Sequence, residues 1–240
     1  MRRSLSIGRQ RTPGRPLPQS FFRRPALEVA PDLLGLVVES HEGETRTAGR
    51  IVEVEAYVGP EDRAAHSFGG RRTTRNDAMF EPGGCAYVYL VYGLHHCLNV
   101  VVAERDAPEA ILIRALEPLV GIDRMRERRG SSRPIHALAR GPGNLTRALG
   151  IDRRHDRTHL SKGVVRILRP PPDRGFNLAN EKIVRSPRIG IDYAGAWASR
   201  PWRFSLRDHP CVSQPRTRAV RAQSDRSAPR AHRPGRSSPR

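Results

Sequence analysis

"LVVESHEGETRTAGRIVEVEAYVGPEDRAAHS", residues 36–67, decides the fold. "LVVES" and "RIVEVEAYV" are rich in β-branched residues and flank the glycine-bearing stretch "HEGETRTAG", which reads as strand, turn and strand. Side chains alternate along a strand, so Val52, Val54, Ala56 and Val58 share one face and Glu53, Glu55 and Tyr57 the other. The aliphatic face belongs to a core. The opposite face gathers two acids and a ring, and the window runs on through Glu61 and Asp62 to His66. Two readings stay open. The acids form the solvated side of an edge strand, or a carboxylate general base stands beside an aromatic binding surface that His66 completes.

The neighbouring segments place this hairpin in an α+β domain. "PALEVAPDLLG" (25–35) has helical spacing and a glycine stop. "GPEDRAAHSFGGRRTTRNDAMFEPGG" (59–84) has glycine and proline at both ends and no sustained period, so it is expected to be a long loop, a kind that tends to be functional. "CAYVYLVYG" and "HHCLNVVVAE" read as strands meeting near Gly93, and "EAILIRALEPL" as another strand. "GIDRMRERRG" and "RGPGNLTRALGI" read as short helices, and "RIGIDYAGAWASRPWRFSLR" as turns and a closing strand. Strands in runs joined by hairpins predict a mostly antiparallel sheet.

Charge and composition narrow the partner. The chain of 240 residues carries a formal charge of +19, and only Lys162 and Lys182 are lysines. Residues 1–24 hold seven arginines and no acid, and residues 215–240 hold eight arginines against Asp225. Both ends are too poor in apolar residues to pack and are expected to be disordered. A basic excess favours a polyanion, although arginine-rich tails also follow from codon usage. Cys85, Cys97 and Cys211 form no CxxC pair, which points to a reducing compartment and away from structural zinc. No apolar run approaches the roughly 18 residues of a membrane span.

Four of the five tyrosines, Tyr57, Tyr87, Tyr89 and Tyr92, fall between 57 and 92, with Arg63, Arg71, Arg72 and Arg75 interleaved. Tyrosine is a good strand residue, but rings among arginines also suit nucleic acid, whose bases stack and whose phosphates pair. Tyr92 has the opposite parity to Tyr87 and Tyr89 and sits beside the turn glycine Gly93. Asn99 lies in the otherwise apolar "CLNVVVA", where its amide must be bonded or cost about 1–3 kcal/mol. It is either a satisfied core amide or a pocket wall. The P-loop, H-E-x-x-H and G-x-S-x-G patterns do not occur. His95, His96 and Cys97 are too compressed for a usual zinc site. A metal-dependent nuclease with Glu53, Glu55, Asp62 and His66 as ligands, and a non-catalytic basic nucleic-acid binder, remain the competing readings.

Several ordered stretches together resemble the alkyladenine (3-methyladenine) DNA glycosylases: "GRIVEVEAYVGPEDRAAHS", "AYVYLVYGLHHCLNV", "ILIRALEP", "RGPGNLTRALGI" and "RIGIDYAGAWASRPWRF". The resemblance implies a single mixed domain over residues 18–213, with a curved, mostly antiparallel β-sheet and peripheral helices, between basic tails at 1–17 and 214–240. It implies a monomeric, cofactor-free and metal-free enzyme of base-excision repair in the bacterial cytoplasm. Its partner would be double-stranded DNA containing a damaged purine, whose N-glycosidic bond it would hydrolyse after base flipping, without nicking the strand. Carried over by motif, Glu55 resembles the general base, and Arg114 and the backbone of Ile189 would help hold the attacking water. Tyr57, His66 and Tyr89 resemble the walls around the extruded base, Tyr92 the wedge in the duplex, and Asn99 the residue that crowds the amino group of guanine. The chain departs from the family's pattern at Asn144, where lysine is usual, at Ala196, where an acid is usual, and in "RDHPCVS", which replaces a glycine-bearing turn.

Overall fold

A computed structural model of the protein describes residues 14–130, 132–171 and 182–213, so most of the two expected tails lies outside the described residues. The hairpin that opens the sequence is longer and tighter than its composition predicts. Strand β2 (Val37–Glu42) and strand β3 (Thr45–Tyr57) are joined by Gly43 and Glu44 alone, with φ at +57° on Gly43. The polar stretch expected to be turn is therefore mostly paired strand. Left-handed backbone at a glycine lets two residues reverse the chain, so the ladder continues through Thr45 and Thr47.

Seven further strands complete the described sheet: β1 (Arg15–Pro16), β4 (Ala86–Val91), β5 (His95–Val102), β6 (Glu109–Val120), β7 (Val165–Arg169), β8 (Ile183–Ser186) and β9 (Arg203–Leu206). Every pairing is antiparallel, in the order β1-β7-β2-β3-β6-β5-β4, and the sheet curls into a half-barrel. Residues 45–50 of β3 pair with β2, residues 53–55 pair with β9 on the same flank, and β6 lines the other flank. So β3 is central, and the reading of its acids as the solvated side of an edge strand is overturned. Glu53 and Glu55 are both fully buried. Strands β7 and β8 were not anticipated, because each is only four or five residues long and lacks a clean alternation.

One face of the sheet is apolar and backed by helices. After the single turn of helix α1 (Gln19–Phe22), helix α2 (Ala26–Leu33) buries Ala26, Val29, Ala30 and Leu33, the i, i+3, i+4, i+7 stripe of one helical face. Helix α4 (Pro142–Leu149) starts with proline in its first turn and ends at Gly150 with φ +70°, which provides the start and stop that its sequence lacks in side-chain caps. It buries Leu145, Ala148 and Leu149 against the sheet. Met125 of helix α3 (Ile122–Arg129) joins the same core, as do Val52, Val54, Ala56, Ile111, Ile113 and Val100 from the strands. Each buried valine, leucine, isoleucine or methionine among them contributes about 1.5–3 kcal/mol by leaving water. No helix among the described residues is long and apolar enough to cross a membrane.

The opposite face carries the polar residues. Segment 59–84 crosses over it as the expected long loop, interrupted only by 3-10 turns at Phe68–Gly70 and Asp77–Phe80. Ala78, Met79 and Phe80 pack there with Tyr87, Val101 and Ala110.

Candidate active site

Register alone brings the polar residues together. Glu55 of β3 pairs with Leu112 of β6, Leu112 with Asn99 of β5, and Asn99 with Tyr87 of β4, so the four form one cross-strand row. Tyr57 pairs with Ala110, and Tyr89 with Cys97, in the rows on either side. A one-residue slip in any of these pairings would send its side chains to the helix-backed face. The β3–β6 register itself is irregular here: it steps from Ile51–Leu116 to Glu53–Ala115 and then to Val54–Ile113, skipping Val52 and Arg114. Such bulges re-aim side chains. The unpaired Arg114 reaches between the two acids, its Nε donating to Glu53 Oε1 at 3.1 Å and its Nη1 to Glu55 Oε2 at 3.2 Å.

The Glu55 carboxylate is fully buried but well supplied with donors. Tyr57 Oη donates to Oε2 at 3.0 Å, and the backbone N–H of Ile189 donates to Oε1 at 2.7 Å. Hydrogen bonds to a charged acceptor are about twice as strong as neutral ones, so these three donors fix the orientation of the Glu55 side chain firmly. Burial, followed by the charge of Glu55, pushes the Tyr57 phenol well above its ordinary range, so it stays a donor. Burial works against the charge of Arg114, but Glu55 and Glu53 outweigh it and its pKa is raised.

Further aromatic side chains lie on the same face as this carboxylate. The rings of His66 and Tyr89 meet edge to face at 4.6 Å, and those of Tyr87 and Tyr89 stack at 5.1 Å. His66 Nδ1 lies 2.8 Å from Tyr87 Oη, although the residue's outer edge is exposed. Burial and then the positive charge of Arg75 lower the His66 pKa, so the ring is neutral near pH 7. Arg75 itself sits over the Tyr89 ring at 5.3 Å and donates to the Leu90 carbonyl at 3.0 Å, bracing the end of β4. Asn99 is buried and its Nδ2 donates to the Tyr87 carbonyl at 3.0 Å, which satisfies the amide expected to need a partner. Beyond Val91 the chain leaves the sheet. Tyr92 has φ +51° and is 92% exposed, an aromatic ring held out in solvent by a strained turn.

Methylpurine-DNA glycosylase is the description of the family whose profile matches residues 20–210 of this chain. The chain belongs to that family. Proteins provisionally named 3-methyladenine DNA glycosylase share the same span. One from Myxococcus xanthus is 46% identical over 82% of this chain and 93% of its own length. Another from Anaeromyxobacter dehalogenans is 46% identical over 83% of this chain and 86% of its own. A third from Bacillus cereus is 44% identical over 82% of this chain and 98% of its own. The protein is thus a hydrolase of the DNA-3-methyladenine glycosylase type.

The structure brings Glu55, Arg114, Ile189 and Tyr57 into direct contact and sets His66, Tyr89 and Asn99 along the same face, with Tyr92 apart at the tip of the β4–β5 turn. It does not bring together the proposed metal ligands of the nuclease reading. Glu53 is engaged by Arg114, Arg203 and Ser213, and Asp62 by Arg188, so each acid already has a cation of its own. Among the described residues no group of three or more His, Cys, Asp or Glu side chains is placed to hold a metal ion.

Several site neighbours were missed from the sequence. Arg188 is buried and forms a two-point ion pair with Asp62, and its guanidinium lies 4.6 Å over the Tyr57 ring and 5.0 Å over that of Trp202. Arg203 and Ser213 were hidden because they reach Glu53 across 150 and 160 residues of chain. For Arg188 a signal existed: it directly precedes the Ile189 amide in "RIG". Of the departures from the family's pattern, Asn144 bonds the Arg140 carbonyl within the α4 start, while Ala196 is exposed and the structure gives it no role.

Proposed function

We propose that this glycosylase hydrolyses the N-glycosidic bond of alkylated or deaminated purines in double-stranded DNA, after swinging the damaged nucleotide out of the stack. The observation that carries the reading is the buried Glu55 carboxylate, ringed by donors and bordered by Tyr57, with Tyr89 and His66 on the same face. Flipping costs a few kcal/mol, least for a damaged or mispaired base. Tyr92, exposed at a strained turn, is suited to fill the gap left in the duplex. Tyr57, Tyr89 and His66 offer ring faces and edges to the extruded base, and a purine alkylated at N3 or N7 is a cation that such rings attract. Asn99 stands in the same row as Glu55, where it would crowd an exocyclic amino group of a normal guanine.

In the chemical step water forms its bond to C1′ while the C1′–N bond breaks and its electron pair passes to the departing base. A cationic base is neutralised by that pair, so it needs little acid catalysis. The proton lost by the water goes to Glu55, with Arg114 and the Ile189 backbone fixing the carboxylate's orientation. A positioned general base supplies about 10²–10⁴-fold. The enzyme is monofunctional in this reading, because strand nicking needs an amine to form a Schiff base and neither Lys162 nor Lys182 lies in the segments that carry the site.

The test is to incubate the protein, with chelator present, with duplexes that each carry one lesion, and to identify the released base. Release of methylated purine or hypoxanthine with the strand intact is expected. Strand cleavage without base release, abolished by the chelator, would favour the nuclease reading. A covalent protein–DNA adduct trapped by borohydride would end the monofunctional one.

A further inference from the structure

Asp62 and Arg188 are the one ion pair of the described residues in which both side chains are completely buried. A buried pair needs additional bonds to offset the loss of water, and these are present. Asp62 Oδ1 accepts the Ala64 N–H at 3.0 Å, and Arg188 Nη1 donates to the Ala56 carbonyl at 2.9 Å. The pair thereby ties the end of β3, the start of the loop that carries His66, and the segment that carries Ile189. Its guanidinium also lies over the rings of Tyr57 and Trp202. One face of Tyr57 is thus occupied by a cation that a carboxylate neutralises.

That arrangement has an electrostatic consequence for whatever binds the other face of Tyr57. An uncompensated guanidinium behind the ring draws π density toward itself and repels a cation in front of it. With Asp62 beside it, the pair is close to neutral from the front. We propose that the Asp62–Arg188 pair is a specificity-determining element that sets the preference between cationic and neutral damaged bases by controlling the net charge behind Tyr57. It acts through the ring and the Ile189 amide and touches no reacting atom, so both residues are positioning residues. The inference rests on the reading that the extruded base stacks on Tyr57.

The test compares single-turnover excision of a cationic base, 7-methylguanine, with that of a neutral one, hypoxanthine, in the same duplex. Asp62→Asn leaves a bare guanidinium behind the ring, and the ratio of cationic to neutral excision is expected to fall. Arg188→Gln leaves a bare carboxylate, and the ratio is expected to rise. At an effective dielectric constant near 20 and a separation of about 8 Å, each shift is on the order of thirtyfold. The double variant Asp62→Asn/Arg188→Gln restores neutrality, so its ratio returns toward the parent value even where its rates fall. It also keeps the test decisive if a single variant folds poorly. Shifts of opposite sign that cancel in the double variant support the proposal, whereas equal losses on both substrates in all three variants overturn it and leave the pair a structural clamp. Failure of the parent protein to release either base would instead count against the proposed function.

Discussion

Glu53 and Glu55 stand two residues apart on one strand, share Arg114 and are equally inaccessible, yet their surroundings differ in kind. Glu53 is closed in by protein: Arg203 donates to Oε1 at 2.8 Å, Ser213 Oγ to Oε1 at 2.9 Å, and the Ser213 N–H to Oε2 at 2.6 Å. Arg114, Arg203 and Ser213 converge on it. Glu55 meets one arginine, one backbone amide and the hydroxyl of a half-buried tyrosine. The difference teaches that burial of an acid says little by itself. The Glu53 end is a knot that joins β3, β6, β9 and residue 213, whereas Glu55 is bonded to a ring hydroxyl, Tyr57 Oη.

The comparison breaks most clearly under isosteric replacement. Glu55→Gln keeps the shape and removes the proton acceptor, so base release from alkylated DNA should fall about 10²–10⁴-fold, with DNA affinity nearly unchanged and a smaller loss of stability than at Glu53, because Arg114 keeps its bond to Glu53. Normal release by this variant, measured in single turnover, would remove Glu55 from the chemistry. Glu53→Gln should reverse the pattern. It leaves Arg114 and Arg203 without their shared carboxylate, and breaking a buried pair costs about 3–5 kcal/mol. Urea denaturation should show that loss, while the folded fraction retains most of its excision rate. Equal stability of the two variants would erase the distinction drawn between the acids.

The pairing of strands was legible because periodicity and turn glycines state it directly: β4, β5 and β6, the aliphatic face of β3, and helix α4 lie where the spacing puts them. Alternation also showed that Glu53, Glu55 and Tyr57 share a face. It did not show that the face is buried, because whether a strand is central depends on which strands flank it, and β9 arrives from some 150 residues downstream. The bulge that aims Arg114 was invisible for the same reason: register is a property of two strands, and the skipped residues carry no mark of their own. Motif resemblance supplied Arg114 and Ile189, but not the Asp62–Arg188 pair that stands behind them.

A third, smaller effect separates the buried site from its exposed outpost. Tyr92 makes no contribution to the core, so Tyr92→Ala should leave stability intact, and relief of φ +51° through Tyr92→Gly should even raise it slightly. Its expected cost appears only with DNA. Stacking of one base on a ring is worth about 1–3 kcal/mol, which corresponds to roughly 5- to 150-fold in affinity for a duplex with an abasic analogue. Equal affinity of variant and parent would take the wedge role from this residue.

The smallest effect concerns pH and the ring that lies between these two regions. Burial and Arg75 hold the His66 pKa below its ordinary value, so between that lowered value and about 6.5 the unfolded chain binds more protons than the folded one. Stability therefore rises with pH through this window. The contribution is fully present above about pH 6.5 and is lost as pH falls through the window toward the folded-state pKa. The phenols against His66 do not titrate there, since burial raises those of both Tyr87 and Tyr89. His66→Gln should flatten this part of the stability–pH curve, and Arg75→Gln should narrow the window by letting the His66 pKa rise. Proton NMR of the imidazole across the same range reads that pKa directly. A value at or above 6.5 in the parent protein would mean that His66 meets the DNA partly as a cation, which would place its ring against, not beside, a positively charged base.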